Sequence, residues 1–141
     1  MKLWVHHLNI ASADQPAMHD FYRNVLGMGD LDGRDEKRLG RDKYAGACTY
    51  LTDDNFEFHI AQKDDNLGFS MGQYVNPVAK GHLAFRTDDL EGFKRKLEEH
   101  GVPYSDFGVW GMTGWTQIFF HDPAGNVIEV HQLLGDQEAA E

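Results

Sequence analysis

The stretch Gly81–Thr87, GHLAFRT, decides the reading of this chain, because it returns in altered form near the start as Val5–Ala13, VHHLNIASA. Each copy leads into a segment headed by an aspartate, Asp14 in the first case and Asp89 in the second. His82 thereby answers His7, and Asp89 answers Asp14, both pairs lying 75 positions apart. Each half also closes on an apolar run with a glutamate inside it, Glu57 within Asn55–Ala61 and Glu129 within Asn126–Gln132. Internal duplication with a common order of elements is a fold argument in itself, since each unit must bury its apolar face against the other.

The flanking residues supply the elements. Leu3–Ile10 alternates and carries β-branched and aromatic side chains, which predicts a strand. Asp14 offers a helix cap, Pro16 suits the first turn, and Gly27 supplies the stop. Between them Met18, Phe21, Tyr22, Val25 and Leu26 share one helical face, and Phe21, Tyr22 and Phe93 are assigned to the core. Leu31–Asp42 is charged and is read as a strand plus a solvated loop. Ala45–Thr52 and Phe56–Ala61 then form a hairpin about the turn Asp53–Asn55.

Lys63–Lys80 is polar, broken by glycine and proline, and reads as a connector rather than a lid. In the second half Asp89 caps a helix lined by Leu90, Phe93 and Leu97 and ended by Gly101. Tyr104–Gly114 reads as a glycine- and aromatic-rich loop beside a short strand, and Trp115–His121 and Asn126–Gln132 as strands about the turn at Asp122–Gly125. The expected fold class is α+β, two βαβββ modules forming a cupped, incomplete barrel-like sheet with helices outside. As one domain over 1–141, module 1 runs to about 62, the linker over 63–80, module 2 over 81–134 and an acidic tail over 135–141.

Bulk properties exclude several functions. A formal charge of -10 argues against nucleic acid and against an anionic membrane surface, both of which call for a basic face. No apolar run approaches the roughly 20 residues of a membrane-spanning helix, and the N-terminus lacks a signal-peptide core, so a cytoplasmic location is expected. Cys48 is the single cysteine, which leaves no internal disulfide and no thiolate cluster.

What remains is imidazole and carboxylate. Two of each suit first-row divalent metals and leave room for water or substrate. Alternation puts His6 and His7 on opposite faces of the strand, and the repeat selects His7 as the inward one. Glutamate inside an apolar strand is costly without a cationic partner, and here it occurs twice, at Glu57 and Glu129. His59 and His131, each two residues beyond a glutamate, are either supports behind the ligands or solvated residues outside the cavity.

The segments HLNIASADQPAMHDFYRNVLGM, GHLAFRTDDLEGFKRKLEEHGVPY and FFHDPAGNVIEVHQ resemble the vicinal oxygen chelate superfamily, which joins glyoxalases, bleomycin-resistance proteins and extradiol dioxygenases. The resemblance implies paired modules around a cupped sheet, a homodimer, and one divalent metal per site, nickel, zinc, manganese or iron(II). It implies His7, Glu57, His82 and Glu129 as ligands, with Glu129, or else Glu57, moving a proton between neighbouring carbons of a small substrate with vicinal oxygens. A metal-dependent lyase or isomerase of the glyoxalase type is therefore expected, with an iron(II) dioxygenase or a metal-free binding protein as alternatives.

Departures from the family narrow this. Ala11 and Ala61 stand where glyoxalase I carries its glutathione-recognition arginine and asparagine. Trp110–Met112 holds no histidine, and Phe119 takes the tyrosine place of the ring-cleaving enzymes. Asn9 and Gln117 are expected as polar pocket groups, and Trp110, Met112 and Trp115 as an aromatic loop over the pocket mouth or a dimer contact.

Overall fold

In the computed structural model, which describes residues 1–31, 44 and 46–135, the repeated stretches lie side by side. The first forms β1 (Leu3–Ser12) and the second β5 (Gly81–Thr87). They run antiparallel, with His7 opposite Ala84 and Asn9 opposite His82. Gly81 makes this approach possible: its φ is 109°, and a Cβ there would lie 2.1 Å from the Asn9 carbonyl oxygen.

Around this pair stand β2 (Gly29–Asp30), β3 (Cys48–Thr52) and β4 (Glu57–Gln62) of the first half, and β6 (Tyr104–Gly108), β7 (Trp115–His121) and β8 (Val127–Leu133) of the second. The eight strands make one sheet of order β2-β3-β4-β1-β5-β8-β7-β6, which reads alike from either end. In each half the first strand pairs in parallel with the last, and the hairpins are antiparallel. The chain is α+β, a mixed open sheet of two like halves, and the sheet does not close.

The two major helices differ. In the second half α3 (Leu90–Glu99) is capped as its sequence predicts, Asp89 Oδ1 accepting from the Gly92 N–H at 2.9 Å. Leu90 and Leu97 are buried against Ile118 and Val130, with Phe93 packed at the edge. In the first half α1 (Gln15–Asp20) starts in the same way, the Ala17 N–H donating to Asp14 Oδ1. From Phe21 it widens into a π turn in which the Leu26 N–H reaches the Phe21 carbonyl, and Gly27 ends it at a φ of 72°. Phe21, Val25 and Leu26 are 48%, 67% and 53% exposed, which corrects the placing of Phe21 in the core.

The connector is better packed than its polarity suggests. It holds a short helix, α2 (Leu67–Ser70), and buries Leu67, Val75 and Val78. Its contacts with Tyr44, Ala61 and Phe119 tie both halves together under the sheet. The remainder of the charged segment after Leu31, and the acidic tail beyond Gly135, lie outside the described residues. Among the described residues no helix is long and apolar enough to cross a membrane.

Candidate metal centre

Three of the four expected ligands meet. His7 projects from β1, His82 from β5 and Glu129 from β8, and ligand atoms of all three lie within 4.8 Å of one another. Strand pairing produces this. His7 faces Ala84, and Ala84 faces Glu129, so the two side chains stand in one row with only alanine between them. His7 Nε2 lies 3.2 Å from Glu129 Oε2, and His82 Nε2 lies 4.0 Å from Oε1. All three residues are at most 8% exposed.

Hydrogen bonds behind the cluster set the ring orientations. His82 Nδ1 is 2.7 Å from the Pro77 carbonyl, which can only accept, so the proton sits on Nδ1 and the Nε2 lone pair faces Glu129. Arg86 Nε donates to His131 Nε2 at 2.9 Å. An imidazole nitrogen that accepts from arginine carries no proton, so His131 is protonated on Nδ1 and donates to Glu129 Oε2 at 3.1 Å. The Trp115 indole stacks on His131 with centroids 4.0 Å apart, and Arg86 lies over the same indole. Arg86 and the connector carbonyl of Pro77 had no signal in the sequence, because Arg86 is answered in the other copy by Ala11 and Pro77 lies outside the repeat.

Electrostatics favour neutral rings. Burial holds His7 and His131 well below the ordinary imidazole value of 6.5, and at His7 the neighbouring histidines push the same way. His82 is lowered by burial too, against the opposing pull of Glu129. The Glu129 carboxyl is raised by burial, offset by His82, His6 and Arg86. Neutral imidazoles and one carboxylate form a donor set ready for a divalent cation, so the residues present fit such an ion.

Glu57 stands elsewhere. Its carboxylate lies 3.3 Å from His6 Nε2 and 3.1 Å from His59 Nε2, outside the cluster of His7, His82 and Glu129. His6 reaches it because β1 bulges between Val5 and His7, where the pairing skips a residue. The bulge also corrects the expectation that His6 faces away. Its Nδ1 is 2.9 Å from His7 Nδ1, and its ring meets Trp115 and His131 edge-on. His59 and His131 are both buried, at 4% and 0% exposure.

A sequence pattern described as Glyoxalase/Bleomycin resistance protein/Dioxygenase superfamily matches residues 4–130. The chain belongs to that superfamily. It is 29% identical over 130 residues to the uncharacterised protein YaeR of Escherichia coli (strain K12), covering 91% of this chain and 95% of that one. Methylmalonyl-CoA epimerase from Mycobacterium tuberculosis superposes with a TM-score of 0.67 at 21% identity, covering 96% of this chain and 91% of the other. A hypothetical protein from Bacillus halodurans C-125 gives 0.68 at 15%, covering 96% and 97%. At these identities the solved structures speak for the fold.

Within this glyoxalase-superfamily sheet the cluster floors a pocket of about 480 Å³, its open mouth included. Asn9, Gln117, Trp110 and Trp115 all line it. Trp115 opens β7 fully buried, so it belongs to the sheet and not to a loop over the mouth; the partly buried Trp110 and the buried Met112 line the pocket with it. The Gln117 amide donates to the Trp110 carbonyl, whereas Asn9 Oδ1 and Trp110 Nε1 are buried without a partner among the described residues. Among the described residues that line the pocket there is no lysine or arginine.

Proposed function

We propose that the protein is a metal-dependent isomerase or lyase of the glyoxalase type, in which His7, His82 and Glu129 hold one divalent cation. The observation that carries this reading is the convergence of two neutral imidazoles and one buried carboxylate on the floor of an open pocket. A bound cation there supplies Lewis-acid polarisation of adjacent oxygens on the substrate. Glu129 is the proton-moving group, its buried carboxylate standing in the pocket lining beside His7 and His82. Arg86, acting through His131, limits the orientations open to that carboxylate.

The lining points to the substrate class. Among the described lining residues Asn9 Oδ1 is an acceptor and Trp110 Nε1 a donor, which suits a small molecule bearing a hydroxyl beside a carbonyl. Methylmalonyl-CoA epimerase, a structural neighbour, belongs by its name to the same broad class of isomerases. A homodimer, expected from the family, would cover the exposed apolar residues Phe21, Val25 and Leu26.

Deuterium exchange tests the reaction. The protein loaded with nickel, zinc, manganese or iron(II) is incubated in D2O with 2-hydroxy carbonyl compounds, and NMR follows loss of the proton between the two oxygens. Exchange that requires metal and is lost in Glu129→Gln is expected. Failure to take up any of these ions rejects the enzyme reading, and oxygen consumption with catechols replaces it by a dioxygenase.

A further inference from the structure

Strand register, and not the repeated Glu-x-His pattern, decides which residue stands opposite Glu129 across the centre. The pairs His7 opposite Ala84 and Asn9 opposite His82 are images of each other when β1 and β5 are exchanged. Ala84 follows Asn9 by the same 75 positions that separate His82 from His7. Glu129 faces Ala84 from β8. Its image must therefore face Asn9 from β4, and the residue that does so is His59. Glu57 faces His7 instead, two residues away along the strand.

We propose that His59 fills the fourth place at the metal centre, and that Glu57 is the carboxylate behind it. The proposal rests on the metal reading above. Two observations support it independently of the register. The His59 ring lies against His7, centroids 3.8 Å apart and planes within 15°, outside the set of His7, His82 and Glu129, so it must turn to share a cation with them. His59 lines the pocket with His7, His82 and Glu129, and Glu57 does not. The Glu57 side chain is 22% exposed against 5% for His59, and its Oε1 lies 3.1 Å from His59 Nε2. A carboxylate accepts, so the His59 proton belongs on Nε2 and Nδ1 is the nitrogen assigned to the cation. The same carboxylate lies 3.3 Å from His6 Nε2, beside the ring whose Nδ1 meets His7.

The exchange of carboxylate for imidazole has a chemical consequence. Three neutral rings and one carboxylate leave a divalent cation with a net positive charge, where two carboxylates would neutralise it. Such a centre polarises substrate oxygens more strongly, and it takes nickel, zinc or iron(II) in preference to manganese, which suits oxygen-rich sites.

X-ray absorption on the zinc- or nickel-loaded full chain counts the imidazoles directly. Three are expected in the wild type. His59→Ala, or His59→Gln if the alanine variant does not fold, lowers the count to two and weakens zinc binding by on the order of 100-fold. Glu57→Ala keeps three and weakens binding by about 10-fold. Long-range proton–nitrogen NMR of the zinc-loaded protein places the His59 proton on Nε2. A wild type that binds metal through two imidazoles, or a loss of an oxygen ligand in Glu57→Ala, overturns the assignment of His59. A wild type that binds no metal overturns the metal reading as a whole.

Discussion

Both halves of the molecule end on glutamate, one apolar residue and histidine, Glu57-Phe58-His59 on β4 and Glu129-Val130-His131 on β8, yet the two carboxylates meet different surroundings. Glu129 is 3% exposed and joins His7 and His82; Glu57 is half-buried and joins His6 and His59. The difference is one of register. Glu129 sits level with Ala84, Glu57 sits level with His7, and the repeat relates Ala84 to Asn9, two residues beyond His7. A period-two strand keeps both side chains on the same face after such a shift, so the sequence pattern survives while the place it occupies moves.

The sharpest way to break this comparison is to remove each carboxylate in turn. Glu129→Ala takes away a proposed ligand and leaves the His131 Nδ1–H buried without its acceptor, so metal binding measured by calorimetry should be lost. The stranded donor alone costs about 1–3 kcal/mol of stability. Glu57→Ala should leave metal binding measurable. Equal loss in both variants would mean that the two halves are functionally alike despite their registers.

The helices offer a second contrast. Leu97→Ala in α3 empties a packed site against Ile118 and Val130 and should cost about 2–5 kcal/mol in urea unfolding. Val25→Ala, at 67% exposure, should change stability by less than about 0.5 kcal/mol. A dilution-dependent loss on Val25→Asp, read by sedimentation, would show that a second copy covers the first-half helix.

Arg86 belongs to one half only, since Ala11 holds its place in the repeat. Arg86→Gln removes the charged donor that holds the His131 tautomer and should weaken metal binding by about 10- to 100-fold. If His131 has no part in orienting Glu129, that affinity will not move.

The smallest effect is in pH. His7, His82 and His131 are all lowered by burial, so the unfolded chain takes up protons near 6.5 that the folded chain refuses. Where the unfolded state binds more protons, stability rises with pH; it is therefore lost as pH falls below the ordinary imidazole value. Glu129 works in the opposite sense, its raised carboxyl losing stability as pH rises through its folded value. Three imidazoles against one carboxylate leave a net loss on the acid side. The urea midpoint of the metal-free protein should drop between about pH 7 and about pH 5, less steeply in His131→Phe.

By itself the sequence determined the duplicated architecture, the helix caps at Asp14 and Asp89, and the gathering of His7, His82 and Glu129. These follow from local chemistry and from a repeat whose copies occupy equivalent strands. Tertiary structure decided the rest. The bulge that turns His6 inward depends on a skipped pairing between β1 and β5. The exposure of Phe21 depends on where the first helix meets the sheet. The place of Glu57, and the candidacy of His59, depend on the β1–β4 register. Register is a relation between strands distant in the chain, and a pattern that repeats every two residues reads the same before and after a shift of two.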